Sequence, residues 1–335
     1  APGYPEDGTA MDFRPFTRAR LVQSLWAGVE RIAPNPTLTQ PLCRMVDPGL
    51  AQGMVEYCAG WVLRAHLGMD RYAQDGIWRN DTVPPLAAER SVVVLGMGEL
   101  GAAVGRALAA LGFRVTGWSA SGRPVEGLEV LPGPRLDEAL ARAEILVTLL
   151  PDTPDTRDLV DADRLALLPQ GAVLINPGRG TLLVEEALIA ALDAGRLGHA
   201  VLDVFRTEPL PAGHPFWCHP GIAVTPHIAA ETRPATAARV VAENLRRIEP
   251  LLQILRDVAA DLGAEPADRV ERLQPEAERV EPRRLHPPGD EQAERLVGVA
   301  PGEAVERQML AVPPAEGLGQ QPPRRRQAAD PGLGR

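Results

Sequence analysis

The chain has 335 residues, of which 45% are hydrophobic and 24% charged, and its net charge is -9. This length is typical of about two domains, and the composition is ordinary for a globular protein with a buried core. The negative charge argues against a nucleic-acid partner, because proteins that bind phosphate backbones present basic surfaces. No apolar run approaches the roughly 18 residues that cross a bilayer, and residues 1–10 lack the features of a signal peptide. We therefore expect neither a nucleic-acid nor a membrane partner.

The usage of lysine and cysteine excludes further classes of site. The chain contains no lysine, which excludes Schiff bases, pyridoxal phosphate attachment and the lysine of a P-loop. Its three cysteines, Cys43, Cys58 and Cys218, are far apart and lack CxxC spacing. We therefore predict no disulfide framework and no metal site, and this cysteine usage fits a reducing cytoplasm.

Short apolar runs alternate with helical stretches between residues 91 and 225, which predicts strands separated by helices. Connections of this length join parallel strands, so the pattern favours a doubly wound parallel sheet of the Rossmann type. The predicted elements, in chain order, are a strand at 20–25, a helix at 54–67, a loop at 71–85, a strand at 91–96, a helix at 99–111, a strand at 113–118, a helix at 135–142, strands at 145–150 and 172–176, a helix at 184–194, strands at 200–203 and 222–225, and a helix at 229–248.

The composition changes near Pro250. From there to Arg335 the chain has no Phe, Trp or Tyr, and prolines recur among closely mixed arginines and acids. Such a segment cannot bury enough apolar surface to offset its chain entropy. We predict a disordered, low-complexity tail over 250–335, with a helical turn or two at 251–262 that continue the preceding helix.

A glycine motif, GMGELG at 96–101, follows the strand at 91–96 and opens a helix of small residues. In that context GxGxxG is typical of dinucleotide binding. Gly96 permits a tight turn, Gly98 lets the backbone approach a pyrophosphate, and Gly101 lets the helix pack on the strand. The pyrophosphate then lies on amides at a helix N-terminus. The cofactor-binding residues predicted from the motif are Gly96, Gly98, Glu99, Leu100 and Gly101.

The end of the next strand bears on which dinucleotide binds. NAD enzymes usually place Asp or Glu there to hold the ribose 2′-hydroxyl, but this chain has Ser119, Ser121 and Arg123, and the next acid is Glu126. Two hydroxyls and a guanidinium suit a 2′-phosphate, which favours NADP(H) over NAD(H). The alternative is that Arg123 simply points into water.

Polar side chains follow the carboxyl ends of the later strands, where ligands of an open parallel sheet bind. Reduction of a 2-oxo acid needs a proton donor and an acidic side chain that stabilises the protonated form of this donor. It also needs a cation that binds the carboxylate of the substrate. His227, Glu208 and Arg179 suit these roles. Each alone has a structural explanation, but their places at successive strand ends, beyond a glycine motif, favour a catalytic set.

These runs together resemble the D-2-hydroxyacid dehydrogenases, and within them the bacterial glyoxylate/hydroxypyruvate reductase A type. The resemblance extends from about Arg20 to Glu249. The matching runs are LWAGV at 25–29, MVEY at 54–57, GMGELG at 96–101, LLP at 149–151, NPGRG at 176–180, LDVF at 202–205, EPL at 208–210, FWCHP at 216–220, TPHIAA at 225–230 and TRP at 232–234.

The resemblance implies a role for each member of the catalytic set. Arg179 would bind the substrate carboxylate and polarise the carbonyl, His227 would donate the proton, and Glu208 would raise the pKa of His227. The strand ends also supply predicted cofactor contacts, namely Leu150, Pro151, Asn176, Pro177 and Asp203. For Asp203 the resemblance implies a place facing the nicotinamide carboxamide.

The resemblance also implies substrate contacts. The loop at 25–29, which includes Trp26, would hold the substrate carboxylate through amides near Ala27 and Gly28. Arg233 would add a second positive charge at the site, or it points outward at the start of a helix. Trp78 would lie on a dimerisation arm and reach the partner's active site, or serve only as an interface residue.

In fold and assembly, the resemblance implies a second, discontinuous, flavodoxin-like substrate domain and a homodimer. Compared with the family, the N-terminal segment is short and the tail replaces the final segment, so we expect a truncated substrate domain. The expected domains are 1–86, part of the substrate domain with the dimerisation arm; 87–228, the dinucleotide-binding domain; 229–249, a helix returning to the substrate domain; and 250–335, the tail.

The expected activity is NAD(P)H-dependent reduction of a small 2-oxo acid, glyoxylate to glycolate or hydroxypyruvate to D-glycerate. One alternative is another D-2-hydroxyacid dehydrogenase, for phosphoglycerate or D-lactate, that uses NADH. A second is a dinucleotide-binding protein with little catalysis, which senses cofactor or binds partners through its tail. Turnover of several 2-oxo acids with both nicotinamides separates them.

Overall fold

The computed structural model describes residues 11–71, 77–78, 80 and 83–261. The predicted tail beyond residue 261 and most of the predicted loop at 71–85 lie outside the described residues. The strands and helices, in chain order, are β1 (Val22–Gln23), β2 (Leu42–Cys43), α1 (Pro48–Leu67), β3 (Ser91–Leu95), α2 (Glu99–Ala110), β4 (Arg114–Ser119), β5 (Glu129–Pro132), α3 (Leu136–Ala141), β6 (Ile145–Thr148), α4 (Ala162–Leu167), β7 (Ala172–Asn176), α5 (Glu185–Asp193), β8 (Leu197–Leu202), β9 (Ile222–Val224) and α6 (Pro234–Asp261).

Seven strands form one parallel sheet in the order β5-β4-β3-β6-β7-β8-β9. The chain starts this sheet at β3, moves outward to β5, and then returns to β6 on the other side of β3. Such a reversal leaves a crevice at the carboxyl ends of the strands, which is where ligands of doubly wound sheets bind. The Rossmann-type fold predicted from the alternating pattern is confirmed.

Helices cover both faces of this sheet, and its central strands are therefore almost wholly apolar. All four of Val92, Val93, Val94 and Leu95 in β3 are 0% exposed. Side chains of α1 and α2 pack on one face, and those of α3, α4 and α5 pack on the other. Each such buried side chain stabilises the fold by about 1.5–3 kcal/mol, so the core fixes the strand ends that carry the candidate site.

The N-terminal part forms a second, small sheet, in which β1 pairs with β2 in parallel. Helix α1 follows directly because Asp47 caps it, with its carboxylate accepting from the amide of Leu50 at 3.1 Å. Helix α6 returns to this part of the chain. Its Thr236 donates to Asp47 at 2.8 Å, and its Asn244 donates to Gln23 at 2.7 Å. The proposed domain boundaries stay a prediction.

Most predicted elements are present with shifted ends, and three differences are larger. Helix α1 begins at Pro48 and not at residue 54, because the Asp47 cap outweighs the glycines of its first turns. Strands β2 and β5 and helix α4 were not predicted, since segments of two, four and six residues show too little periodicity. The helix predicted at 229–248 spans Pro234–Asp261, which includes most of the extension predicted at 251–262. None of the described helices is long and apolar enough to span a bilayer.

Candidate functional site

The loop between β3 and α2 has the geometry that its glycines predict. Gly96 has a φ of +100°, and a Cβ there would lie 2.6 Å from the carbonyl oxygen of Leu149. A Cβ on Gly101 would lie 1.7 Å from the carbonyl oxygen of Gly96, so the helix and the turn are in direct backbone contact. Both positions therefore require glycine for packing reasons alone.

Gly98 differs from these two glycines because a Cβ there would meet nothing within 4 Å. It is the N-cap of α2, and Glu99 and Leu100 form the first turn of that helix. Open space beside a glycine at a helix N-terminus leaves room for an anionic group to approach the free amides. The residues present here fit the pyrophosphate of a dinucleotide.

The turn after β4 carries the residues predicted to select the cofactor. The Ser119 hydroxyl accepts from the amide of Gly122 at 3.2 Å, and the Ser121 hydroxyl accepts from the amide of Arg123 at 3.3 Å. Both hydroxyls therefore brace the turn, and each keeps a proton to donate. The guanidinium of Arg123 is exposed and forms no ion pair within the part of the chain that the structure describes. It is available to an anionic ligand.

The strand ends of β6 and β7 carry four further predicted cofactor residues: Leu150, Pro151, Asn176 and Pro177. Asn176 is fully buried. Its side-chain oxygen accepts from Thr148 at 2.7 Å and from the amide of Gly178 at 3.1 Å, while its amide group donates to the carbonyl of Arg179 at 3.0 Å. Asn176 thus shapes the loop that presents Arg179.

Arg179 lies against the predicted substrate loop. Its Nη1 donates to the carbonyl of Gly178 at 2.7 Å, and its Nη2 donates to Glu30 at 3.3 Å. A Cβ on Gly28 would lie 1.7 Å from Nη2, so the guanidinium rests on the backbone of Gly28. In the same loop, Trp26 is 55% exposed. The structure thus brings Arg179 and the loop at 25–29 together.

His227 and Glu208 form a direct pair, with 2.7 Å between Nδ1 and Oε2. The hydrogen bond with Glu208 raises the pKa of His227 above its ordinary value, although burial opposes it. Burial raises the pKa of Glu208, but hydrogen bonds from His227 and the amide of Phe205 outweigh it and leave that pKa lowered. The pair therefore favours an imidazolium held by a carboxylate, and Nε2 has no partner among the described residues.

The three candidate catalytic side chains also interact electrostatically. Behind the larger causes just given, the charge of Arg179 lowers the pKa of both His227 and Glu208. Contacts between the two loops agree with this: a Cβ on Gly180, next to Arg179, would lie 2.0 Å from the carbonyl carbon of Phe205, and the amide of Phe205 donates to Glu208 at 2.9 Å. Arg179, Glu208 and His227 therefore share one region at the carboxyl edge of the sheet.

Asp203 holds the turn that carries His227. Asp203 is 0% exposed, and its carboxylate accepts from the Thr225 hydroxyl at 2.5 Å and from the amides of Ile228 and Ala229 at 2.9 Å each. Its carbonyl accepts from the amide of His227 at 2.8 Å. His227 has a φ of +56°, a conformation that costs a non-glycine residue roughly 1–2 kcal/mol. These bonds maintain the strained backbone, and the contact with nicotinamide stays a prediction.

Asp203→Ala is expected to destabilise the fold by about 2–4 kcal/mol, because one buried and two partly buried donors lose their acceptor. Chemical denaturation of the purified protein measures this change in the free energy of unfolding. The matched control is Asp155→Ala, at an exposed aspartate whose loss should change stability by less than about 0.5 kcal/mol. Equal stability of the two variants would contradict the role given to Asp203.

Tyr57 supports the same turn from α1 and was not predicted as a site residue. The Thr225 hydroxyl donates to Asp203, so the Tyr57 hydroxyl is the donor in its 2.7 Å bond to Thr225. Burial raises the pKa of Tyr57, which keeps the donor protonated. Tyr57 and Thr225 are 168 positions apart, so no local signal in the sequence joins them.

Arg233 lies at the start of α6. Its side chain passes over Gly49, where a Cβ would lie 3.4 Å from Cδ of Arg233. Within the described residues it forms no hydrogen bond or ion pair with Arg179, Glu208 or His227. The structure places it at the junction of α1 and α6, and its substrate role stays a prediction.

The lining of a cavity of about 160 Å³ includes Ala27 of the predicted substrate loop and Glu99 and Leu100 of the predicted cofactor helix. Arg179, Glu208 and His227 do not line it. The cavity adjoins both predicted binding loops, as expected of a crevice at the carboxyl edge of the sheet.

Comparisons with known proteins show the family of this chain. The family described as "D-isomer specific 2-hydroxyacid dehydrogenase, NAD binding domain" matches residues 61–229. The glyoxylate/hydroxypyruvate reductase A of Serratia proteamaculans is 42% identical over 243 residues, which are 69% of this chain and 77% of that protein.

Two solved structures are similar over comparable lengths. A D-isomer specific 2-hydroxyacid dehydrogenase from Xanthobacter autotrophicus, in complex with NADPH and MES, has 42% identity and a TM-score of 0.68, covering 73% of this chain and 78% of its own. An NADPH-dependent glyoxylate/hydroxypyruvate reductase from Sinorhizobium meliloti, in complex with NADP and sulfate, has 41% identity and a TM-score of 0.65, covering 69% of this chain and 76% of its own.

Proposed function

We propose a reaction for this chain, which belongs to the D-isomer specific 2-hydroxyacid dehydrogenases and is an NAD(P)-dependent oxidoreductase. It reduces glyoxylate and hydroxypyruvate at the site formed by Arg179, Glu208 and His227. The observation that carries the proposal is the 2.7 Å pair of His227 and Glu208 at the strand edge that also presents Arg179. The relatives named glyoxylate/hydroxypyruvate reductase support this choice of substrates.

The chain's own residues would hold a dinucleotide at three places. The glycine loop would bind the pyrophosphate at the open space beside Gly98, the turn with Arg123 would bind the adenosine end, and the ends of β6 and β7 would flank the nicotinamide. When bound, the reduced nicotinamide supplies a hydride to the carbonyl carbon of the substrate.

The side chains handle the charge and the proton of this reaction. Arg179 binds the substrate carboxylate through its planar set of N–H donors and polarises the carbonyl. His227 gives its Nε2 proton to the carbonyl oxygen as negative charge develops there, so this oxygen becomes a neutral hydroxyl group in the product. Glu208 holds the ring through Nδ1 and stabilises the imidazolium before the transfer.

Steady-state turnover of glyoxylate, hydroxypyruvate, pyruvate and phosphohydroxypyruvate, with NADPH and with NADH, tests the proposed reaction. We expect the highest kcat/KM for glyoxylate or hydroxypyruvate. Preference for another 2-oxo acid would contradict the proposed substrates. Cofactor binding without turnover of any 2-oxo acid would favour a dinucleotide-binding protein over an enzyme.

Glu208→Gln is expected to move the alkaline limb of kcat/KM for reduction to lower pH. Reduction uses the protonated imidazole, and the raised pKa of His227 keeps it protonated to higher pH. The substitution removes the main cause of that shift. A pH–rate profile measures the limb, and Glu185→Gln, which disrupts the comparable pair with His214 at 3.3 Å, should leave it in place. An unmoved limb in Glu208→Gln would rule out His227 as the titrating group.

The preference for NADP(H) over NAD(H) is part of the proposal. It is supported by the guanidinium of Arg123, which is exposed and has no ion-pair partner among the described residues, and by the two serine hydroxyls of its turn. Arg123→Ser is expected to lower kcat/KM with NADPH about tenfold, because a charged hydrogen bond to the 2′-phosphate is lost. The value with NADH serves as the internal control and should stay within about twofold. Equal losses with both cofactors would contradict this role.

We also propose a homodimer in a cytoplasmic compartment. Its support is a set of strongly exposed apolar side chains near the predicted arm, Ile77, Trp78, Val83 and Leu86, with exposures of 62%, 88%, 85% and 74%. The three cysteines are free, which fits a reducing compartment. Sedimentation velocity at several protein concentrations tests the assembly, and a monomer at all of them would contradict it.

A further inference from the structure

Glu30 is a carboxylate inside the candidate site that the proposed reaction does not use. It follows the predicted substrate loop, and its Oε2 lies 3.3 Å from Nη2 of Arg179. The Glu30 side chain is 22% exposed and that of Arg179 is 32% exposed, so the pair is partly shielded from water. We infer that Glu30 competes with the substrate carboxylate for the guanidinium of Arg179 and thereby raises KM. This inference rests on the proposed role of Arg179 in substrate binding.

The Arg179–Glu30 pair lies where the substrate carboxylate is expected to bind. A Cβ on Gly28 would lie 1.7 Å from Nη2 of Arg179 and 2.5 Å from Oε2 of Glu30. The two charged groups therefore meet directly over the backbone of Gly28, in the loop expected to hold the substrate carboxylate. A substrate that uses those amides and that guanidinium together arrives where the Glu30 carboxylate already lies.

Some of the N–H groups of Arg179 already have acceptors within the chain. A guanidinium binds a carboxylate best through two parallel N–H groups. Nη1 donates to the carbonyl of Gly178, and Nη2 donates to Glu30. One N–H of Nη1 and one of Nη2 are therefore taken by the chain's own oxygens. A substrate carboxylate that binds through Nη2 shares this nitrogen with Glu30 or displaces it.

Other charged groups around Arg179 also affect how an anionic substrate binds. The hydrogen bond from Arg157 is the main cause that lowers the pKa of Asp152, and the charge of Arg179 adds to it, so Asp152 also lies within the field of Arg179. The positive charge of His227 is held by Glu208. An incoming anion therefore meets a guanidinium that Glu30 already neutralises, and Glu30 itself repels the anion.

A positioning role for Glu30 makes the opposite prediction. If Glu30 serves to orient Arg179, its hydrogen bond matters and its charge does not. Glu30→Gln keeps an acceptor oxygen and removes only the charge, whereas Glu30→Ala removes both. Competition predicts that both variants bind substrate more tightly. Positioning predicts that Glu30→Gln resembles the wild type and that Glu30→Ala has a higher KM and a lower kcat.

The experiment compares the wild type, both Glu30 variants and Glu186→Gln, which removes one exposed carboxylate from α5 as a control. KM and kcat are measured for glyoxylate with a reduced nicotinamide. The Kd of oxamate, a non-reducible carboxylate of similar shape, is measured by calorimetry with the cofactor present. Competition predicts that KM and the oxamate Kd fall about two- to fivefold in Glu30→Gln, without a fall in kcat. The values for Glu186→Gln should match those of the wild type.

The outcomes separate this inference from the proposed reaction. An unchanged or higher oxamate Kd in Glu30→Gln overturns the competition, whether or not the enzyme turns over glyoxylate. Failure of every variant to bind oxamate overturns it as well. Tighter oxamate binding in Glu30→Gln with no turnover of any 2-oxo acid supports the competition and contradicts the proposed reaction alone.

Discussion

His227→Asn is expected to lower kcat for glyoxylate reduction by about 10²–10⁴-fold, the usual contribution of a positioned general acid. The side chain of asparagine cannot donate a proton in the place of Nε2, so the developing negative charge on the substrate oxygen stays without its acid. The Kd of NADPH should change by less than about threefold, because the glycine loop that would bind the pyrophosphate is untouched. Steady-state kinetics and a fluorescence titration with NADPH measure the two quantities.

Asparagine is the informative replacement because of the backbone at this position. His227 has a φ of +56°, and asparagine tolerates this left-handed conformation better than most residues. The variant should therefore keep its fold, which the free energy of unfolding checks. The matched control is His219→Gln. His219 also contacts a carboxylate, Asp193 at 3.3 Å, but it precedes β9, whereas His227 follows that strand. Turnover of His227→Asn within tenfold of the wild type would mean that another group donates the proton.

Arg179→Gln is expected to lower kcat/KM for glyoxylate by about 10²–10³-fold, the usual effect of removing one group that stabilises developing charge. The loss has two parts, because Arg179 is proposed both to bind the substrate carboxylate and to polarise the carbonyl. Arg179→Lys keeps the charge but lacks the planar pair of donors, so we expect it to recover only a part of the activity. The kcat/KM values of the three proteins, measured under one set of conditions, test this order.

Binding measurements separate the role of Arg179 from damage to the site. Arg179→Gln should lose oxamate affinity while keeping NADPH affinity, because the two ligands use different loops. Arg135→Gln, which removes an exposed arginine paired with Glu138, is the control and should behave like the wild type. If Arg179→Gln binds oxamate as the wild type does, the substrate carboxylate has another partner. In the Arg179→Gln background, Glu30→Gln should tighten oxamate binding less than it does in the wild type, since only the repulsion between Glu30 and the anion is left to remove.

Local patterns in the sequence were sufficient for the central sheet and its cofactor loop. Apolar runs separated by helical stretches predict a parallel sheet, since buried strands and their crossover helices have distinct periodicities. Gly101 is required by the carbonyl of Gly96, five positions away, and Gly96 has a positive φ, so the motif can be predicted from nearby residues, although Gly96 also packs against Leu149 of a distant strand end. The rule that ligands bind at the carboxyl ends of parallel strands then led to Arg179, Glu208 and His227, and the structure brings their side chains into one region.

Hydrophobic periodicity did not predict the short elements or the capped start of α1. Strand β5 and helix α4 contain too few residues to show a period. The start of α1 depends on the Asp47 cap, which outweighs the unfavourable glycines that follow it. For β5 and α4 the packing of neighbouring elements decides the structure of the segment, whereas the start of α1 is decided by a single capping bond that apolar periodicity does not show.

By itself, the sequence determined the fold class, the cofactor loop and the three residues proposed for catalysis, because each depends on residue type at a position set by nearby chain. Only the tertiary structure decided how those residues are held. Glu30 contacts Arg179 across 149 positions, and Tyr57 reaches Thr225 across 168. Asp203 likewise proved to be the acceptor that holds the turn of His227. Such contacts depend on how α1 and the small sheet pack against the large one, and that packing is a property of the whole chain.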